Sequence, residues 1–335
     1  MGVKLSGLIN KKQIDFEYLK GKKIGVDFSN SAYQFLSSIR QSDGTPLMDS
    51  KGNVTSHLMG TWNRFTNLMK QGVKLAIIFD GKPPELKANT KKQRNKIKEV
   101  AQKKFEDAKE KEDIVNMAKY AKQTSRLTFE MVEESKELIK ALGLPIIQAP
   151  SEADAQGAFM CEKKDLYAFA SSDVDPLLHG CPRTISNLTI SQRKKLPSGS
   201  YIKINPELSE LKTVLKDLGL NQDQLIVMSI LVGTDYNYGV KGIGPKTALK
   251  LVRQHKNFEE LFKEVKVDFN WKKIFAIFKS MPVMKNYQLN WKEIDEDKIM
   301  KLLVEKHEFS KERVEKTLNN LRKRDKNQSG LGNWV

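Results

Sequence analysis

Seven acids stand where a carboxylate inside a fold is hard to accommodate. Asp27 closes the apolar run Lys23-Ile24-Gly25-Val26, and Asp80 closes the run from Leu75 to Phe79. Asp173 and Asp175 follow the run from Leu166 to Ala170, in Ser172-Asp173-Val174-Asp175. Glu152 and Asp154 lie in Ser151-Glu152-Ala153-Asp154, and Asp235 in Gly233-Thr234-Asp235-Tyr236, after the apolar stretch from Leu225 to Val232. An unpaired charge beside a core is costly, and arginines and histidines near these positions are few. A divalent cation is the natural partner, because magnesium takes hard oxygen ligands. Several carboxylates gathered from distant segments around two ions ~4 Å apart are what two-metal hydrolysis of a phosphodiester requires. A second reading fits one pair. Ser151 and Asp154 match a capping box, and Glu152 suits the positive end of a helix dipole. Cap and metal ligand are compatible at a helix start.

Other chemistries find little support. His57, His179, His255 and His307 are scattered and form no HExxH motif. Cys161 and Cys181 fit no CxxC pattern, so neither a structural disulfide nor a cysteine zinc site is expected. The formal charge of +17 favours a polyanionic partner, nucleic acid first and an anionic membrane surface second. No apolar run spans a bilayer and no signal-peptide core is present, so no membrane association is expected. Met1-Gly2-Val3-Lys4-Leu5-Ser6 matches the N-myristoylation pattern, a short one readily met by chance.

The elements that must position these residues follow from the apolar runs. Strands are expected at Lys23–Asp27, Leu75–Asp80, Leu144–Ile147, Leu166–Ala170 and Tyr201–Ile204, most of them separated by segments of helical period such as Phe129 to Leu142. The pattern predicts an α/β fold with a mostly parallel central sheet flanked by helices, whose sites gather at the carboxyl ends of the strands. Residues 87–126 differ: they are rich in Lys, Arg, Glu and Gln with thin apolar stripes. They read as two polar helices with a break near Lys111 to Asp113, equally a solvated insertion. The C-terminal third reads as largely helical from Asp223 to Asn320, with a polar tail from Arg322. Gly239-Val240-Lys241-Gly242-Ile243-Gly244-Pro245-Lys246-Thr247 satisfies neither the P-loop nor the dinucleotide fingerprint. It fits a hairpin between helices whose backbone N–H groups, with Lys241 and Lys246, can hold a phosphate, or a simple helix–helix turn.

Six motifs in this order resemble the flap endonuclease family, its archaeal form most closely, over essentially the whole chain: Met1-Gly2-Val3; Val26-Asp27; Phe79-Asp80-Gly81-Lys82-Pro83-Pro84; Ala149-Pro150-Ser151-Glu152-Ala153; Ser172-Asp173-Val174-Asp175; and Gly233-Thr234-Asp235-Tyr236-Asn237 running into Gly242-Ile243-Gly244-Pro245-Lys246. The resemblance implies a 5′ nuclease fold with a helical arch insertion and a helix-two-turn-helix. One nuclease domain is then expected over residues 1–321. It comprises an N-terminal region (1–86), the arch (87–126), an internal catalytic region (127–235), and the helix-two-turn-helix with C-terminal helices (236–321). Residues 322–335 form a flexible tail.

The same resemblance assigns roles. Asp27, Asp80, Glu152 and Asp154 match the acids nearer one magnesium ion, and Asp173, Asp175 and Asp235 those nearer a second, with manganese able to substitute. Lys87 and Arg94 match the basic pair at the scissile phosphate. Tyr33 matches an aromatic that stacks on a base, where the residues alone allow a core tyrosine equally. Gly2, Gly233, Gly242 and Gly244 match positions beside the DNA, together with Glu152, Asp235, Lys241 and Lys246; a potassium ion is expected at the glycine hairpin. Gln328, Leu331, Trp334 and Val335, in motif 328–335, are similar to the peptide that binds the sliding clamp PCNA, with Val335 where a second aromatic is usual. Asp154 stands where many relatives carry Glu, and His179 where Phe is common. The implied activity is structure-specific cleavage of 5′ flaps in branched DNA, with 5′–3′ exonuclease activity, in replication and repair. A junction- or bubble-specific relative and a non-catalytic clamp-bound scaffold are the alternatives. The protein is expected to be monomeric and, as an archaeal-type chain, cytoplasmic.

Overall fold

The computed structural model describes residue 5 and residues 7–111, 113, 116, 119–120, 123–190, 192–195 and 199–329. Strands β1 (Lys12–Gln13), β2 (Lys23–Asp27), β3 (Lys74–Phe79), β4 (Ile146–Gln148), β5 (Ala168–Ala170), β6 (Arg183–Ser186) and β9 (Glu207–Glu210) form one sheet in the order β1-β9-β6-β5-β2-β3-β4. The block β6-β5-β2-β3-β4 is parallel throughout, and β9 runs antiparallel to β6. The central strands β2, β3 and β5 are almost wholly buried, as continuous Val/Ile/Leu/Phe/Ala runs demand in a sheet covered on both faces. The register sets Asp27 beside Ile78 and Val26 beside Ala170, so the residues that follow β2, β3 and β5 emerge along one edge.

One expected strand pairs elsewhere. Tyr201–Lys203 is β8 of a separate two-stranded ribbon with β7 (Arg193–Lys195), not a strand of the main sheet. Its three residues are exposed, so it has no apolar face to bury between helices. The short strands β1, β6 and β9 complete the sheet instead.

Helices Phe28–Ser38, Ser56–Lys70 and Phe129–Ala141 cover one face of the sheet, and Ala153–Glu162 covers the other. The small residues of this last helix let it lie close on the sheet: a Cβ at Gly157 would fall 2.2 Å from the Phe169 ring. A second core forms around helix Gln222–Val232, buried from Leu225 to Leu231, with Pro245–Gln254, Phe258–Glu264 and Trp271–Ser280 packed about it. Helix Lys87–Glu110 rises from the carboxyl edge of the sheet; of the polar helix expected to follow it, most residues lie outside those described.

From residue 281 to 295 the chain runs across the molecule as an extended strap. The Gln156 side chain both donates to Met284 O (3.0 Å) and accepts from Met284 N (2.7 Å). Trp291 Nε1 donates to Leu75 O (2.8 Å), and Lys292 N to Gly143 O (2.9 Å). Gly143 is at φ +73°, and a Cβ there would meet Lys292 O at 2.1 Å, so only glycine allows this approach.

Near the return of the polar insertion, a buried polar network joins four segments. His307 Nδ1 lies 3.2 Å from Asp49 Oδ2 and its Nε2 3.0 Å from Glu134 Oε1; the other Glu134 oxygen is 3.2 Å from His57 Nε2. The last helix, Lys311–Ser329, extends through the first eight positions of the segment expected to be a tail from Arg322. Those residues include no Gly or Pro, and their Lys, Arg and Gln are good helix formers. Among the described residues no helix is long and apolar enough to cross a membrane.

Candidate active site

The seven acids arise from five segments that meet at the carboxyl edge of the sheet. Asp27 ends β2 and caps helix Phe28–Ser38, its Oδ1 accepting from Asn30 N at 2.9 Å. The Asn30 amide in turn donates to Asp173 Oδ2 (3.2 Å) and Ser172 Oγ (2.8 Å), linking the β2 and β5 ends. Asp80, one residue past β3, accepts from Ala153 N through Oδ1 at 2.7 Å, while Gln148 Nε2 holds its backbone carbonyl at 2.7 Å. The capping box expected at Ser151 and Asp154 therefore does not form. Glu152 occupies the N-cap position without a side-chain bond to the helix's own N–H groups, and Ser151 Oγ donates to Lys82 O at 3.0 Å. A carboxylate 73 residues away in sequence satisfies the helix end instead, which leaves Glu152 and Asp154 to face the other acids. Asp175 opens the short helix Asp175–Leu178. Asp235 is presented by a turn that Asn237 locks: its Oδ1 accepts from Thr234 Oγ1 (2.8 Å) and its Nδ2 donates to Ile230 O (2.8 Å).

Lys87 enters this cluster at the start of its helix. Its ammonium lies 2.5 Å from Glu152 Oε2 and 3.4 Å from Asp235 Oδ2. Burial alone would lower its pKa, but Glu152, Asp235 and Asp80 together hold it above the usual lysine value, so the cation is firmly charged. The acids carry the opposite strain. Burial raises the carboxyls of Asp27 and Asp154 well above the usual range, and their acidic neighbours raise them further: Asp80 and Asp173 for Asp27; Asp27, Asp175, Asp173 and Asp80 for Asp154. Burial also raises Glu152, partly offset by Lys87. The Tyr236 phenol is pushed far up by burial and by Glu152, Asp175, Asp154 and Asp235. Burial brings the His179 imidazole down to about 4, against a hydrogen bond at Phe278, so it is neutral at pH 7.

The donor set fits hard divalent cations. All seven side chains offer carboxylate oxygens, Lys87 offsets only part of their charge, and the buried Asp154 Oδ1 has no hydrogen-bond partner. As they stand, no three acids among the described residues converge on one point. The reason is visible in their contacts: Asp27 holds Asn30, Asp80 holds Ala153, and Glu152 and Asp235 hold Lys87.

The remaining predicted residues divide. Tyr33 is 42% exposed with Lys98 Nζ 4.9 Å over its ring, so it is no core tyrosine but a surface aromatic beside the polar helix. Lys241, Gly242, Gly244 and Lys246 are exposed where helix Pro245–Gln254 begins, with Gly244 as its N-cap. Gly233 (φ +114°) and Gly239 (φ +75°) make the tight return between the two helices, and a Cβ at Gly239 would meet Val232 O at 2.3 Å. The Arg94 and Gln328 side chains, Gly2, Leu331, Trp334 and Val335 lie outside the described residues. Asn30, Gln148, Tyr236 and Asn237 support the site without having been singled out. Tyr236 and Asn237 stand in the quoted motif around Asp235 but carried no assigned role, and Asn30 lies three residues after Asp27, where a capped helix presents its N–H.

Comparison with known proteins bears on the family and the fold. The family model described as XPG N-terminal domain matches residues 1–101 and that described as XPG I-region matches 143–235. Flap endonuclease 1 of Hyperthermus butylicus is 46% identical over 100% of this chain and 99% of its own length. Flap endonuclease 1 of Pyrococcus furiosus is 47% identical with the same coverage. The solved flap endonuclease-1 from Methanococcus jannaschii superposes with a TM-score of 0.76 at 42% identity, over 96% of this chain and 98% of that one. The catalytic core of Rad2 with a DNA substrate shares the fold alone, with a TM-score of 0.70 at 22% identity over 93% of this chain and 96% of that one. With full-length identity of this order and both family regions matched in sequence, the chain belongs to the flap endonuclease family.

Proposed function

We propose that this protein hydrolyses a phosphodiester of branched DNA at the acid cluster, with two magnesium ions as cofactors. It is a structure-specific 5′ flap nuclease serving replication and repair. Asp27, Asp80, Glu152 and Asp154 form one side of the ligand set, and Asp173, Asp175 and Asp235 the other. Bound there, divalent ions supply an activated water and neutralise charge on the leaving oxygen. The chain's own residues do the rest. Lys87, charged and aimed into the cluster, binds the scissile phosphate and stabilises the charge that develops on it; Arg94, two turns further along the same helix, assists. Tyr33 stacks on a base near the cut, a contact indifferent to sequence. The glycine return and the start of helix Pro245–Gln254 hold a phosphate of the duplex through backbone N–H groups, with Lys241 and Lys246 beside them and a potassium ion bound by backbone oxygens. Helix Lys87–Glu110 forms one leg of the arch over the single strand, and motif 328–335 binds the sliding clamp.

The observation that carries this reading is Lys87 clasped by Glu152 and Asp235 amid buried acids whose carboxyls are raised. The deciding experiment is cleavage of labelled 5′-flap, 3′-flap, four-way-junction and single-stranded DNA, in magnesium and in EDTA. Magnesium-dependent cutting centred on the 5′ flap is expected. Preference for the four-way junction would reassign the substrate, and tight binding without any cutting would make the chain a scaffold.

A further inference from the structure

Beside the acid cluster, the chain leading into Lys87 forms one wall of an open groove of about 590 Å³. That volume is in the range of sites for small organic groups. Its lining is mostly carbon: Pro83, Pro84 and Leu86 from the segment before Lys87, Pro150 from the segment before Glu152, and Ile277 and Met281 from the end of helix Trp271–Ser280. Lys82 and Lys273 add two positive charges against the single acid Glu85. Leu86 is 39% exposed, an apolar side chain left open to solvent beside charged chemistry.

The groove is built into the active site. Lys82 N donates to Pro150 O (3.2 Å), Ser151 Oγ donates to Lys82 O (3.0 Å), and Gly81 N donates to Ser151 O (2.6 Å). A Cβ at Gly81 would fall 2.2 Å from Ala149 O, so these two segments are pressed backbone to backbone. One wall continues through the bond from Lys87 N to Pro84 O (3.0 Å) into the helix that carries the Lys87 ammonium. The other continues from Ser151 into Glu152, and the two walls meet again where Lys87 Nζ touches Glu152.

We propose that this groove is a subsite for the bases of the single-stranded flap next to the cut. The inference rests on the flap-nuclease reading. A nucleotide strand needs flat apolar surface for its bases and cations for its phosphates, and proline rings flanked by Lys82 and Lys273 offer both. Bases in a duplex are stacked and paired and have no free face to insert. The groove therefore engages only unpaired nucleotides, and it adds to substrate selection at a place other than the duplex-binding hairpin.

The test uses the full-length protein with magnesium and a series of 5′-flap substrates. Each carries one abasic site, moved stepwise through the first several flap nucleotides. For the wild type, one or two adjacent positions should lower kcat/KM by about tenfold, the scale of losing one base stack. Ala276→Trp, at an exposed position lining the groove, fills it; this variant should cut intact flaps less efficiently and lose the abasic penalty at the groove's one or two positions, while any penalty at the base stacked on Tyr33 persists. If Ala276→Trp fails to fold, Met281→Glu on the same lining gives the same readout. Equal abasic penalties in wild type and variant, or no penalty at any position, overturn the subsite while cutting of intact flaps upholds the nuclease. Absence of cutting on every flap would instead fell the reading on which it rests.

Discussion

Lys87 pairs with two acids of the cluster, Glu152 and Asp235, while Asp27 and Asp80 accept from backbone N–H groups. Its removal takes away transition-state stabilisation and the cation partner of Glu152 and Asp235, while every proposed metal ligand keeps its carboxylate. Lys87→Met should lower the single-turnover rate by about 10²–10³-fold while flap affinity, read by anisotropy, changes far less. Asp175→Ala should behave differently: no detectable cutting, with flap binding retained, and no rescue at higher pH. Cutting by that variant would remove Asp175 from the ligand set. The positions of these residues could be read from the chain in unequal measure. Asp27, Asp80 and Asp173 were legible because each closely follows a run too apolar to be anything but a buried strand. The bond from Asp80 to Ala153 was not, because a capping box is judged from neighbours within four residues and this cap comes from another element. Tyr33 was ambiguous for a simpler reason: helical spacing fixes which residues share a face but not whether a second helix covers it.

Among the elements, the buried network around Glu134 ties folding stability to pH. Hydrogen bonding from His57, outweighing the burial that would raise it, holds the Glu134 carboxyl down at about 2, with Lys306 and His307 adding to the effect. A carboxyl depressed by folding stabilises the native state fully above its unfolded pKa of 4.5, and that contribution is lost as pH falls through about 2. Glu134→Ala should therefore destabilise the protein at pH 7 by about 2 kcal/mol. The gap in melting temperature from wild type should close as thermal scans move from pH 5 towards pH 2. A gap that stays constant over that range would mean that Glu134 acts through packing rather than charge. Element identity was readable where pattern and burial agree, as in β2, β3 and helix Phe129–Ala141. For Tyr201–Lys203 the strand itself was readable but not its place, because its β-prone residues pair in an exposed ribbon apart from the main sheet. The pattern missed β6 and β9, where Arg183-Thr184-Ile185-Ser186 and Glu207-Leu208-Ser209-Glu210 are too short and too polar at their ends to stand out from loop.

At the scale of the molecule, a charge of +17 coexists with a cleft dominated by acids. The excess positive charge therefore lies elsewhere on the surface, where it meets phosphates rather than ligates metal. Binding to flap DNA should be strongly salt-dependent, with affinity falling by about 10³-fold or more between 50 and 200 mM salt if six or more phosphates are neutralised. A shallow slope would mean that contacts other than phosphate neutralisation dominate. Charge balance was open to the sequence; which surface carries it required the fold.

The strap from residue 281 to 295 bears on how the protein can be taken apart. It leaves the helical core around Gln222–Val232, crosses behind the sheet, and is fastened on the way to Gln156, Leu75 and Gly143 before the chain enters its last helices. Neither core is then an autonomous module. A fragment ending before the strap would leave the Gln156 amide and the Leu75 carbonyl without partners, and one beginning after it would consist of helices with no sheet to lie on. Anyone trimming this nuclease to a minimal catalytic piece, or splitting it into two halves for reassembly, would find the permissible cuts confined to surface turns away from that crossing.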